Sequence, residues 1–198
     1  VQIAVLTVAD SRVEYLVDTG LSDPAVRDYL NNQLLDFFAW PTYDAENSDK
    51  VVETTASFSI IGGRYLNVKS SDYESVPGAA YPTANVRAAT FDLTTGDGVA
   101  PFGGIFTVDE AFLSAIRGAL TLVEPEADIP DAADVLADAL GDPAQQADVQ
   151  IIDDYTFAIY LGGRLHAEGD FWKFLGDTAD FAPFFTPAFA DAFAGRVL

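Results

Sequence analysis

Hydrophobic positions change period several times along the chain, and each change predicts an element. Residues 1–8 and 12–17 are rich in β-branched side chains, with Val13, Tyr15 and Val17 alternating, so both stretches are expected to be extended. The spacing then becomes three and four. Val26, Leu30, Leu34, Phe37 and Phe38 share one face of a helix predicted over residues 24–39. Ser22 suits its N-cap, Pro24 its first turn, and Trp40-Pro41 its end, because a residue before proline is pushed out of the α region.

From Val51 the period is two, with Val52, Thr54, Ala56, Phe58 and Ile60 on one face and Glu53, Thr55, Ser57 and Ser59 on the other. Gly62-Gly63 is expected to turn this strand into a second over 64–76. A third strand, 85–93, follows the loop at 77–82, and Thr94-Thr95-Gly96-Asp97-Gly98 turns the chain again, which makes an antiparallel meander. Thr107 and Glu110 have the spacing of a capping box, so a helix is predicted over 108–122, burying Phe112, Ala115, Ile116, Ala119 and Leu120. A shorter acidic helix over 131–140 ends at Gly141, inside a Pro- and Asp-rich segment. Tyr155, Phe157, Ile159 and Leu161 alternate as a strand, Gly162-Gly163 turns it, and 164–167 begins a return strand. The Phe-rich stretch 170–198 reads as a closing segment with a short helix from about Pro187. The fold class is therefore α+β: an antiparallel sheet with two longer helices packed against it. A soft boundary near 98–107 divides a helix-plus-meander unit, 1–98, from a second unit, 99–198, and the two are expected to pack as one.

Composition adds limits. Of the 198 residues 49 % are hydrophobic, enough for a core, yet 31 acidic residues face 10 Lys plus Arg, for a net charge of −21. Such a field repels nucleic acids and anionic membrane surfaces. Asp outnumbers Glu by 23 to 8, a bias that suits a salty or extracellular medium. The absence of Cys excludes disulfides, thiolate metal sites and cysteine nucleophiles. The chain has no Met and opens at Val1, so a start segment removed by processing is expected, a cleaved secretory signal being one such segment. No run approaches the ~18 apolar residues of a membrane helix, so no membrane span is expected.

Catalytic signatures are missing. The sequence holds no Gly-x-Ser-x-Gly elbow, phosphate loop, dinucleotide fingerprint or paired-histidine zinc helix. His166, the only histidine, lies close to Glu168 and Asp170, but three polar residues after a tight hairpin are better read as a solvated loop than as a catalytic cluster. Glycan hydrolysis needs two carboxyl groups, and in a chain this acidic, neighbours such as Asp153 and Asp154 arise by chance. Calcium is the metal to weigh at Asp92–Asp97, where two carboxylates flank a glycine. The segment lacks EF-hand spacing, and a plain β-turn explains it better, so no cofactor is expected.

A family resemblance lies in the order of the middle segments. The early helix carries Asn31-Asn32 and Leu34-Leu35, and an aromatic hairpin follows from Tyr65-Leu66-Asn67-Val68 to Tyr73. Next come Gly78-Ala79-Ala80-Tyr81-Pro82, then Phe91-Asp92-Leu93-Thr94-Thr95-Gly96, then Gly104-Ile105-Phe106 and a helix. This order resembles the bacterial extracytoplasmic domains typified by the C-terminal region of the lysozyme-sensing anti-sigma factor RsiV, related to domains of unknown function found with peptidoglycan deacetylases. Tyr81 stands where the loop of that family carries a histidine. The resemblance implies a secreted, periplasmic or cell-surface α+β module that binds instead of catalysing. Its implied ligand is a lysozyme-like cationic protein or a peptidoglycan fragment, and Gly78, Tyr81 and Pro82 form the candidate binding loop. Two other readings stay open: a self-assembling extracellular subunit joined through its apolar termini, and, last, a carboxylate-based glycan hydrolase.

Overall fold

The structure is a computed structural model that describes residues 1–8, 10–45, 50–125, 129–141, 147–162 and 170–194. Among these the strands form two sheets, where the sequence pattern leads one to expect a single one. The α+β class holds.

The first sheet begins with the hairpin β1 (Gln2–Val8) and β2 (Ser11–Val17). Helix α1 (Pro24–Ala45) then crosses over, so that β3 (Val51–Ile61) runs parallel to β2. The expected meander follows through β4 (Tyr65–Ser75), β5 (Thr83–Asp92) and the short β6 (Gly98–Val99). Gly62 and Gly63 take φ of +57° and +67° in the three-residue connection Gly62–Arg64, where the Arg64 amide donates to the Ile61 carbonyl at 3.0 Å. Leu30, Leu34 and Phe38 of α1 are buried on Leu16, Leu66, Val68 and Phe91.

Helix α1 departs from the sequence reading at both ends. Its first turn is capped by Asp23, whose Oδ1 accepts from the Ala25 and Val26 amides, in place of Ser22. At the other end it runs through Pro41 to Ala45. A proline at this position removes the amide that would bond the Phe37 carbonyl four residues back. That carbonyl has another donor: Arg87 of β5 reaches it through Nη1 at 2.8 Å. The same guanidinium lies over the Phe37 ring at 5.0 Å and pairs with the buried Asp72, at 3.2 and 3.0 Å. Tertiary structure thus supplies what the proline removes.

The second sheet has the order β7 (Thr121–Glu124), β10 (Phe171–Asp177), β9 (Thr156–Gly162) and β8 (Ala147–Ile151), all antiparallel. One face, with Val149, Phe157, Ile159 and Phe174, buries itself against α2 (Glu110–Ala119), α3 (Ala132–Gly141), α4 (Thr178–Phe181) and α5 (Pro187–Phe193). Phe106 sits at its centre, ringed by Phe112, Phe157, Phe181 and Phe185. Helix α2 is shorter than the predicted 108–122. Asp109 caps it by accepting from the Phe112 amide at 2.9 Å, and Leu122 belongs to β7, because Thr121, Leu122 and Glu124 pair with β10, with Val123 left over at a bulge. The return strand is β10; the expected one at 164–167 lies outside the described residues. The short helix from Pro187 is present as α5.

The sheets meet edge to face, and each covers a raw edge of the other. β8 is an outer strand, and its free groups are met by side chains of the first sheet. Asn67 donates to the Val149 carbonyl at 3.1 Å and accepts from the Ile151 amide at 3.0 Å, while Ser59 donates to the Ile151 carbonyl at 2.6 Å. In return, the Ala88 and Ala84 amides of β5 donate to Asp148 at 3.0 Å and to Asp170 at 2.7 Å. This seam explains why β3 changes faces. Its alternation buries Val52 and Thr54 toward α1, but farther along Ser59 and Ile61 are the buried positions and Phe58 is exposed.

Candidate functional site

Beyond the seam the sheets diverge, and a cleft of about 350 Å³ opens between them. Its floor on the first sheet comes from the face opposite α1: Glu53 and Thr55 of β3, Lys69, Ser71 and Tyr73 of β4, and Ala84 and Val86 of β5. The strand register sets these side by side, since Tyr73 pairs with both Glu53 and Ala84, and Ser71 with both Thr55 and Val86. The other wall is a cross-strand row on the second sheet, where Lys173 of β10 pairs with Glu124 of β7 and with Tyr160 of β9; Phe171 stands one position along.

The chemistry of the cleft contrasts with that of the chain. Only three residues of the sequence are lysines, Lys50, Lys69 and Lys173, and two of them line this one cleft in a molecule of charge −21. Lys173 pairs with Glu124 at 3.4 Å. Lys69 is half-buried, forms no ion pair among the described residues, and has its Nζ 5.9 Å above the Tyr160 ring. Burial pulls the Lys69 ammonium below the ordinary lysine value, the Lys173 charge adds to the depression, and Glu124 opposes it. Burial also raises the Tyr160 phenol, helped by Glu124, so the hydroxyl stays neutral and donates to Gln150 Oε1 at 2.8 Å. Phe171 meets the Tyr160 ring edge-on, with centroids 6.2 Å apart.

The sequence-predicted residues divide. Gly78, with φ of +87°, Tyr81, 69 % exposed, and Pro82 lie in the β4–β5 loop. That loop starts just beyond the Tyr73–Ala84 pair of the cleft floor, and none of its residues is in the cleft lining. Asp170 sits at the same end, bonded to the Ala84 amide and adjacent in sequence to Phe171. His166 and Glu168 lie outside the described residues. At the turn weighed for calcium, protein donors engage the Asp92 carboxylate: Arg64 at 3.1 and 2.8 Å, and the amide and hydroxyl of Thr94. Among the described residues no cluster of three metal-ligating side chains occurs. The cleft residues themselves were not singled out by sequence, although the scarcity of lysine was a signal that pointed to them.

The architecture has counterparts. A DUF3298 family member from Bacteroides fragilis NCTC 9343 superposes with a TM-score of 0.58 at 12 % identity, covering 97 % of this chain and 96 % of that one. A DUF3298 family protein from Pseudomonas aeruginosa PAO1 gives 0.55 at 11 % identity, with 94 % of each chain covered. At such identities the likeness is one of fold, which this chain shares with proteins of a domain family of unknown function. No protein-family profile matches the sequence, and no curated protein matches it.

Proposed function

We propose that the chain is a non-catalytic, secreted or periplasmic binding module, related to the RsiV-like domains, that holds a cell-envelope fragment in the cleft between its sheets. The observation that carries this reading is the make-up of the cleft: the rings of Tyr73 and Phe171, with Tyr160 buried beneath Lys69, stand among hydroxyl, amide and charged side chains in one concavity. Concave sites that combine ring surfaces with directed polar atoms are the usual form of a small-ligand site. Sugar rings suit such a surface, because their C–H faces lie on aromatic rings while their hydroxyls reach the polar groups. Binding is preferred to hydrolysis because, of the three carboxylates in the lining, Asp72 is fully engaged by Thr54, Ser70 and Arg87 and the other two are wet. Glu53 is exposed, and Glu124, with 47 % of its side chain exposed, is tied to Lys173, whereas a general acid needs a dry pocket.

The test is calorimetric titration with muropeptides and with lysozyme, at low and moderate salt. Muropeptide binding that survives moderate salt and falls at least tenfold in Tyr73→Ala supports the cleft. Heat with lysozyme alone, lost on adding salt, would instead make the acidic surface the site for a cationic protein. A self-assembling role is favoured by one feature, the uncharged outer strand β1, where Ile3 and Val5 are each 50 % exposed. Light scattering over a concentration series decides it, a constant monomer mass ruling it out.

A further inference from the structure

We infer that the cleft recognises a carboxylate-bearing sugar, with Lys69 and Lys173 receiving the carboxylate while the ring lies against the exposed Tyr73 and the half-buried Phe171. This rests on the cleft being the binding site and names what it selects. Elsewhere the described cations are satisfied by the protein's own acids: Arg12 by Glu14, Lys50 by Glu74, Arg64 by Asp92, Arg117 by Asp134 and Asp138. Lys69 differs. It is half-buried, its neighbours are a ring and a second ammonium, and no acid of the described residues pairs with it although the chain has three times as many acids as bases.

Withdrawing an ammonium from water beside a like charge is unfavourable unless an anion offsets it. The nearest carboxylate interaction that opposes the depression comes from Glu124, which is already bonded to Lys173. An incoming carboxylate would offset the Lys69 charge, which Glu124, held by Lys173, leaves without an ion-pair partner among the described residues. Selectivity follows from position. The net charge of −21 disfavours anions over the rest of the surface, so an acidic ligand is accepted only where the two lysines converge. The aromatic surface of Tyr73 and Phe171 in the same cleft selects a ring-bearing anion over a bare one.

Because the chain has only three lysines, protein labelled with ¹³C at lysine Cε gives three signals, one of them, Lys50, an internal control outside the cleft. The probes are N-acetylmuramic acid, N-acetylglucosamine, which keeps the ring without the carboxylate, and inorganic phosphate, which keeps charge without the ring. The inference expects N-acetylmuramic acid to shift Lys69 and Lys173 saturably and leave Lys50 in place, with the other two probes at least tenfold weaker. Lys69→Met should lose at least tenfold while its circular dichroism is unchanged; if that variant misfolds, the wild-type shifts decide alone. Binding of N-acetylglucosamine as tight as that of the acid, and lost in Tyr73→Ala, overturns the carboxylate inference and leaves the cleft reading intact. Phosphate binding as tightly as the acid overturns the sugar half of the inference. No shift at Lys69 with any probe, together with no muropeptide heat, overturns both readings.

Discussion

Replacing Arg87 by Met while varying Pro41 tests whether a side chain from β5 repairs the helix that proline interrupts. The Asp72 side chain is fully buried, and its carboxylate takes four donors: the Thr54 and Ser70 hydroxyls on Oδ1 and two Arg87 nitrogens on Oδ2. Arg87→Met keeps the aliphatic volume, leaves that carboxylate with its hydroxyl donors, and strips the Phe37 carbonyl of the Arg87 hydrogen bond. Breaking a buried pair from one side costs about 3–5 kcal/mol, within which an orphaned carbonyl accounts for about 1–3 kcal/mol. Pro41→Ala restores the missing amide at the one place able to reach that carbonyl from within the helix. In the wild-type background Arg87 already bonds it, so Pro41→Ala should change stability by less than about 1 kcal/mol, the order of the unfolded-state entropy a proline removes. In the Arg87→Met background the same change should recover about 1–2 kcal/mol, the net worth of a hydrogen bond to a group otherwise unpaired. Urea unfolding at pH 7, followed by far-UV circular dichroism with the m-value held constant across the four proteins, measures the cycle. Equal effects of Pro41→Ala in both backgrounds would refute the repair.

Three further outcomes are expected. Burial pushes the Asp148 carboxyl up to about 6, against lowering by its bond to the Ala88 amide and by the Arg87 charge, from an ordinary value of 3.8. A raised carboxyl favours the fold at low pH and loses that contribution as pH rises through about 6, so Asp148→Asn should match wild type near pH 4 and exceed it above pH 6 by at most about 3 kcal/mol, from about 1.4 kcal/mol for each pKa unit; a difference constant with pH refutes it. Gly62→Ala brings a Cβ to 2.0 Å from the Ala192 carbonyl at φ of +57°, whereas Gly63 has nothing within 4 Å. The first should therefore cost more than the ~1–2 kcal/mol of a left-handed residue alone and Gly63→Asn less than ~1 kcal/mol, by thermal or urea unfolding. Asn67→Leu strips the Val149 carbonyl and the Ile151 amide of their side-chain partner, at about 1–3 kcal/mol for each group left bare, and hydrogen exchange should accelerate at Ile151 before the α1 core responds.

Local chemistry made much of the first sheet legible. Gly62-Gly63, the period-two run from Val51 and the Asp92–Gly96 turn all act within a few residues, and all three place the meander correctly. What escaped depends on residues far apart. Pro41 ends a helix by its own chemistry, and only Arg87, forty-six positions on, reverses that. Strand β8 is five residues long, and its outer edge is completed by Asn67 and Ser59, more than eighty positions away. Leu122 reads as a helical position by spacing, yet it pairs with Phe174 of β10, a strand more than fifty positions away. The cleft follows the same rule. Lys69 and Lys173 meet only because two sheets from opposite halves of the chain diverge at one end, so composition could flag lysine as rare but could not join the pair. The loop with Tyr81, selected on a motif, follows β4 in register but contributes no residue to the cleft lining among the described residues.

The edge-to-face seam bears on how this protein can be divided. A boundary placed in the 98–107 stretch looks natural along the chain, yet a fragment ending there would carry a β5 edge stripped of Asp148 and Asp170, and an Asn67 with no strand to complete. The complementary fragment would display the bare edge of β8. Each piece alone would thus present an open template for strand addition, and the two together would re-form the missing contacts in trans. Split at that point, the chain becomes a pair of sticky halves suited to fragment complementation, while graftable stand-alone domains are not to be had from it.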